Sequence, residues 1–297
     1  MAVFETGDLT GILPTQILDG MVENVKYGST IAALSRAEPM KFGDATIVTF
    51  DEEPKAEFVE ESGAKSQTSA KPSHATAVPR KAVVTYRTSN EFLWADEDYQ
   101  LGILGKLTEK GARAISRALD LGAYFRINPR TGNEISAWTN YLNATTNRVE
   151  IGGSADLDIE AAAGLVISGD STPTGIALDP SYAWSIATAR YADGRKKFPE
   201  LGLGINVSTF EGIRASVSNT VSGRPEAADT GVRAIVGDFD EGIRWGIQKQ
   251  MPFEVIPYGD PDNTGRDLKG HNEVALRLEV VYAWHVFADR FAVVEEA

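Results

Sequence analysis

Between residues 99 and 124, Leu101, Leu104, Leu107, Ala114, Ile115, Ala118 and Leu119 recur at intervals of three and four, with Gly111 and Gly122 on the same stripe. That spacing predicts one long amphipathic helix. Asp96, Glu97 and Asp98 stand where negative charge complements the helix dipole, and Asn128-Pro129-Arg130-Thr131-Gly132 closes the segment as a turn. Gly102, Gly105, Gly111 and Gly122 each cost up to about 1 kcal/mol of helix propensity, so they are expected to face a closely packed neighbour. Late in the chain the pattern changes to period two: Val274, Leu276, Leu278 and Val280 alternate with Glu273, Ala275, Arg277 and Glu279, a half-buried strand. Asp179-Pro180-Ser181 is a helix start, with Asp179 as cap and Pro180 at the first position. Shorter helices are expected over 17–25 and 157–166, a small apolar cluster stands at 30–34, and strands are expected over 45–50 and 291–294.

Residues 56–86 read AEFVEESGAKSQTSAKPSHATAVPRKAVVTY. The stretch begins like a strand and passes an almost core-free polar tract over 62–79. It becomes strand-like again from Lys81, with Val83, Val84 and Tyr86. Two strand-like flanks with nothing between them describe a long hairpin entered through the acidic turn at 51–54. A hairpin without an apolar face does not hold its shape alone, so its partner is expected on another molecule.

Composition narrows the function classes. The chain has 297 residues, 42% of them hydrophobic, and a formal net charge of −13. This is a globular composition, and an acidic one gives no electrostatic reason to gather on DNA phosphates or anionic lipid. There is no cysteine, hence no disulfide frame and no thiolate chemistry. No apolar run is long enough to cross a bilayer. His74, His271 and His285 lack metal-ligand spacing. Asp260-Pro261-Asp262-Asn263-Thr264-Gly265 starts like a calcium loop, but His271 stands where the twelfth-position glutamate belongs, so a plain turn is expected. Gly202-Leu203-Gly204 lacks the third glycine of a dinucleotide fingerprint. Asp238, Asp240 and Glu241 could supply paired carboxylates to a soluble enzyme; as solvated turn residues they need no such role.

Several segments in order resemble the tailed-bacteriophage major capsid proteins, whose fold is shared with encapsulins. An arm contains Leu13-Pro14. A loop reads Phe58-Val59-Glu60-Glu61-Ser62-Gly63-Ala64-Lys65 and returns into Thr88-Ser89-Asn90-Glu91-Phe92-Leu93. A long helix follows, then Val236-Gly237-Asp238-Phe239 and Asn272-Glu273-Val274-Ala275-Leu276-Arg277-Leu278-Glu279. The resemblance implies an α+β capsid fold: N-terminal arm (1–45), extension loop or E-loop (46–88), peripheral domain with a spine helix (89–179), axial domain (180–258) and a C-terminal return to the peripheral domain (259–297). It implies a non-enzymatic protein that assembles with itself, as hexamers and pentamers, into an icosahedral virion shell around double-stranded DNA. Assembly in the host cytoplasm is implied, with a separate scaffolding protein (the arm begins almost at Met1), a portal protein and, in some members, a decoration protein. No cofactor, metal, membrane or specific nucleic-acid contact is implied. An encapsulin, holding enzyme cargo instead of DNA, is the alternative. Some members join subunits by an isopeptide bond, and the matching positions here are Lys65, Asn272 and Glu279. A neutral lysine amine would attack the asparagine amide carbon, the glutamate would take the amine's proton, and the amide nitrogen would leave as ammonia. The odd separation of Asn272 and Glu279 places them on opposite faces of a regular strand.

Overall fold

The computed structural model describes residues 28–50, 55–67, 72–91, 97–201 and 207–296. The expected helix over 17–25, Leu13-Pro14, the acidic turn at 51–54, Phe92-Leu93 and Gly202-Leu203-Gly204 lie outside them.

Two sheets pack around one long helix. The first has four antiparallel strands in the order β1 (Ala45–Phe50), β2 (Pro72–Ser89), β9 (Glu273–Val286) and β8 (Ile243–Ile256). The second has six, in the order β3 (Arg148–Glu150), β10 (Phe291–Glu295), β7 (Val232–Gly237), β4 (Gly175–Leu178), β6 (Ile213–Val217) and β5 (Thr209–Phe210). The helices are α1 (Thr30–Leu34), α2 (Glu97–Phe125), α3 (Ala155–Ser168) and α4 (Pro180–Thr188). Residues 180–258 are thus divided: β5, β6 and β7 lie in the six-stranded sheet and β8 in the four-stranded one.

The three-and-four spacing becomes α2. Its stripe of Ile115, Leu119 and Tyr124 is fully buried in one core with Leu276, Leu278 and Tyr282 of β9. Burial of each such side chain contributes roughly 1.5–3 kcal/mol. A Cβ on Gly111 would stand 2.4 Å from Leu278 Cδ1, and one on Gly122 would stand 2.9 Å from the Trp284 ring, so both glycines permit close packing. Gly105 departs from the expectation, because a Cβ there would meet nothing within 4 Å. Among the described residues no contact of its own offsets its helix-propensity cost.

Two strands also differ from their sequence pattern. β2 begins at Pro72, nine residues before the strand-like sequence resumes at Lys81. The polar tract is held there by the backbone ladder to β1, from Ala45↔Ala77 to Phe50↔Pro72, which needs no apolar side chain. Pro72 occupies the first strand position, where a missing N–H is tolerated. β9 was expected to be half-buried, yet Ala275 and Glu279 on its second face are buried too, because β2 and β8 flank it on both sides.

The six-stranded sheet divides its side chains by period two. Ile235, Phe291 and Val293 face the core shared with α2, while Ala234, Val236, Ala292 and Val294 face a second core; Val232 breaks the alternation and joins the first core, across the register shift where Val294 and Glu295 pair with Ala234 and Val232. α3 and α4 cover that second core with Ile159, Val166, Tyr182 and Ile186. Asp179 caps α4 as expected, accepting from Ser181 N–H at 2.8 Å.

Candidate assembly surfaces

β1 and Pro72–Ala77 of β2 form a two-stranded arm, since β2 pairs with β9 only from Val78 onward. Residues 55–67 lie exposed beyond this ladder, with Phe58 fully exposed and Val59 partly so. The tip has a fixed shape. Ser66 donates to both oxygens of Glu57, from its N–H at 2.5 Å and its hydroxyl at 2.6 Å, and Gly63 N–H donates to Glu60 O at 2.9 Å. Those bonds from Ser66 hold the Glu57 carboxyl below the ordinary range. Phe58-Val59-Glu60-Glu61 is presented on a hydrogen-bonded loop with no covering partner among the described residues.

The arm residues 28–43 are fastened at two places. First, Asp120 of α2 is fully buried and caps α1 from outside. It accepts from the N–H groups of Thr30 at 2.9 Å and Ile31 at 3.3 Å, and from the hydroxyls of Ser29, Thr30 (2.9 Å) and Thr220 (2.7 Å). Burial pushes its carboxyl up, against the pull of these donors. One side chain therefore ties the arm, the spine helix and the 219–222 turn of the six-stranded sheet together. Second, the segment after α1 runs along β8: Glu38 N–H donates to Trp245 O at 2.8 Å, Trp245 Nε1 donates to Ser35 Oγ at 2.7 Å, and Gln248 Nε2 donates to Gly43 O at 2.6 Å. Arg117 joins α2 to the same turn region, donating to Asn219 Oδ1 and Arg224 O, each at 2.6 Å, and forking onto Glu226.

The calcium-like loop has an arginine at its centre. Arg87 of β2 donates to Asp260 Oδ1 at 2.6 Å, Glu273 Oε2 at 3.0 Å, Thr264 Oγ1 at 2.9 Å and Arg266 O at 2.9 Å, and also reaches both oxygens of Asp262. The guanidinium gathers the oxygens that a cation would otherwise gather. It holds the Asp262 carboxyl down to about 2, and these partners in turn push Arg87 up. The sign follows: a carboxyl with a depressed folded-state pKa adds stability that is complete above its unfolded value of about 3.9 and lost as pH falls through about 2. A carboxyl-carbon NMR titration should give Asp262 a midpoint near 2, returning to about 3.9 in Arg87→Ala. A midpoint near 3.9 in the unaltered protein would contradict the clamp.

The three cross-link positions do not meet within one chain. Lys65 is exposed on the arm tip. Asn272 is an exposed left-handed residue (φ 54°) just before β9, and its carbonyl accepts from Asn90 N–H at 2.8 Å. Glu279 is buried seven residues along that strand, about 23 Å away at strand rise, and ion-paired to Lys81 at 2.5 Å. The acidic run has a turn role: Asp238 Oδ1 accepts from the N–H groups of Asp240 (3.2 Å) and Glu241 (3.1 Å), and Arg290 pairs with its other oxygen at 3.3 Å. Among the described residues no group of three or more His, Cys, Asp or Glu side chains could hold a metal. Sequence reasoning missed Asp120, although a lone acid beside Leu119 and Leu121 on an apolar helix was a visible signal. It also missed Arg87, whose role depends on a loop more than 170 residues away.

This combination of spine helix, two sheets and outstretched β-arm has close counterparts among solved structures. A structure from Mycobacterium phage Ogopogo is 41% identical over 91% of this chain and 92% of its own, with a TM-score of 0.81. One from Gordonia phage Cozz is 29% identical over 91% of this chain and 86% of its own, with a TM-score of 0.79. The chain belongs to the tailed-phage major capsid protein family. The capsid of an empty GTA particle has the same fold at 15% identity, with a TM-score of 0.60 over 91% of this chain and 90% of its own. No family model and no curated protein matches this capsid protein. Its exposed arm and fastened N-terminal segment are accordingly parts of a subunit built to assemble with copies of itself into a shell.

Proposed function

We propose that this major capsid protein encloses packaged double-stranded DNA, with the E-loop of each copy lying across a neighbour. The observation that carries this reading is the arm tip, where an exposed phenylalanine is displayed on a hydrogen-bonded loop that the described residues leave uncovered. The four-stranded sheet with α2 would form the peripheral unit, and the six-stranded sheet with α3 and α4 the axial unit. A net charge of −13 suits a lumen in which DNA is confined without adhering. A separate scaffolding protein, a portal and assembly in the host cytoplasm belong to the same reading, and a decoration protein would be a further partner. Purified particles should protect genome-length DNA from nuclease, while the free subunit should not retard DNA in a gel at physiological salt. Particles filled with protein cargo would favour the encapsulin alternative.

A finer reading concerns covalent joining, which the exposure of both Lys65 and Asn272 favours. Because Asn272 and Glu279 are separated along β9, the bond would draw its lysine, asparagine and glutamate from different copies. It predicts a ladder of multimers when mature particles are boiled and run on a denaturing gel, abolished by Lys65→Ala. A single band at the 32.1 kDa of the monomer would remove it.

A further inference from the structure

A groove of ≈ 850 Å³ opens between β2, the middle of α2 and the 127–138 loop. Its floor is apolar, with Ala82, Ala118, Trp138 and Trp284 among its lining. Its polar side chains are unusual for an acidic protein. Arg80, Arg130 and Arg277 all line it, and none has a carboxylate partner among the described residues. The Arg80 guanidinium lies 4.0 Å from the Trp138 ring centre and 4.8 Å from that of Trp284, and its buried Nε has no hydrogen-bond partner. Arg277 donates only to neutral oxygens, Thr85 Oγ1 at 3.3 Å and Pro261 O at 2.5 Å. The two acids on the rim are already engaged, Asp262 by Arg87 and Glu226 by Arg117. The groove thus combines an apolar floor with uncompensated positive charge.

The complementary object is at the arm tip. Phe58 and Val59 are its exposed apolar side chains, and Glu60 and Glu61, exposed beside them, make no ion pair among the described residues. We infer that the groove receives the Phe58-Val59-Glu60-Glu61 tip of a second copy of this chain, with Phe58 on the apolar floor and the two glutamates facing Arg80, Arg130 and Arg277. The inference rests on the shell-forming reading and specifies the contact that reading needs. An aromatic anchor entering an apolar pocket inside a ring of charge pairs is the usual form of an energetic hot spot. The Glu57–Ser66 closure fixes the tip before it docks, which lowers the ordering cost of association.

The chain contains no cysteine, so introduced pairs report without background. Shells assembled from the full chain carrying F58C with A114C, or F58C with A118C, should give disulfide-linked multimers on a non-reducing gel after mild oxidation. Each single-cysteine variant should stay at the monomer position. F58A should raise the concentration needed for assembly by about tenfold or more. The double reversal E60K/E61K should do the same, with partial recovery on adding R130E. If the unaltered chain forms no shells, the shell-forming reading fails. If shells form but neither pair cross-links and F58A assembles like the unaltered chain, the groove assignment alone is overturned.

Discussion

Asp120→Ala should lower the stability of the subunit by about 3–5 kcal/mol and its thermal midpoint by roughly 10 °C. The carboxylate accepts from five donors in a fully buried position. The hydroxyls of Ser29, Thr30 and Thr220 can rotate toward other acceptors; Tyr124 OH lies 2.8 Å from Thr30 Oγ1, and Ser218 Oγ lies 2.9 Å from Thr220 Oγ1. The N–H groups of Thr30 and Ile31 cannot rotate. Each would be left buried and unpaired, at roughly 1–3 kcal/mol apiece, and the cavity adds to that. Because the same side chain joins the arm to the spine helix and the 219–222 turn, the loss should also appear as early proteolysis of the arm. Asp120→Asn keeps one acceptor oxygen and should fall between the two. Denaturant unfolding followed by tryptophan fluorescence checks this; a change below about 1 kcal/mol would mean the arm is held chiefly elsewhere.

Gly246→Val should detach the 35–43 segment from β8 while the sheet itself survives. Valine suits a strand, so the penalty is purely steric. A Cβ at this position would stand 2.2 Å from the Glu38 carbonyl oxygen and 3.0 Å from Met40 Cγ. The methionine can move aside, but the carbonyl is backbone and moves only with the segment. The Glu38 N–H bond to Trp245 O and the Arg244–Glu38 ion pair would go with it. Overpacking of this kind costs about 1–3 kcal/mol. Trypsin cleavage after the exposed Lys41 should then quicken by about tenfold or more, since 1.4 kcal/mol of local opening is a factor of ten. An unchanged cleavage rate would show that the segment is already open in the unaltered subunit.

The parts of this fold that were legible in the sequence are those where local spacing and burial agree. The stripe from Leu104 to Leu119 became α2 and Asp179-Pro180 became the capped start of α4, because each helix packs one consistent face on a core, while Ala45–Phe50 became β1 on its strand-like residues and backbone pairing to β2, with no described side chain in either core. The start of β2 was not legible: residues 72–77 are held by backbone pairing to β1 and 78–80 by pairing to β9, which leaves no hydrophobic trace. Nor was the burial of Ala275 and Glu279 on the second face of β9, a strand that lies centrally between β2 and β8. The fastening residues are a separate case. Arg87 and the Arg80–Trp138–Trp284 stack act on partners that are far away in the chain, so nothing in their own neighbourhoods announces the contact, whereas Asp120 stands out as an acid between Leu119 and Leu121 but its distant partners do not. The residue pattern already asked for a partner on another molecule, and the family resemblance implied that this partner is a second copy of the chain. The resemblance placed Lys65, Asn272 and Glu279 in sequence but not in space, since β9 holds the last two apart.

The central claim is that this chain builds a closed shell by self-association. A cryo-electron microscopy reconstruction of particles assembled from the full chain tests it most directly. The account predicts an icosahedral shell of repeated copies, each extending residues 55–67 onto the body of a neighbour. A chain that stays monomeric in the presence of its scaffolding partner, or a particle in which every arm folds back on its own subunit, would contradict it.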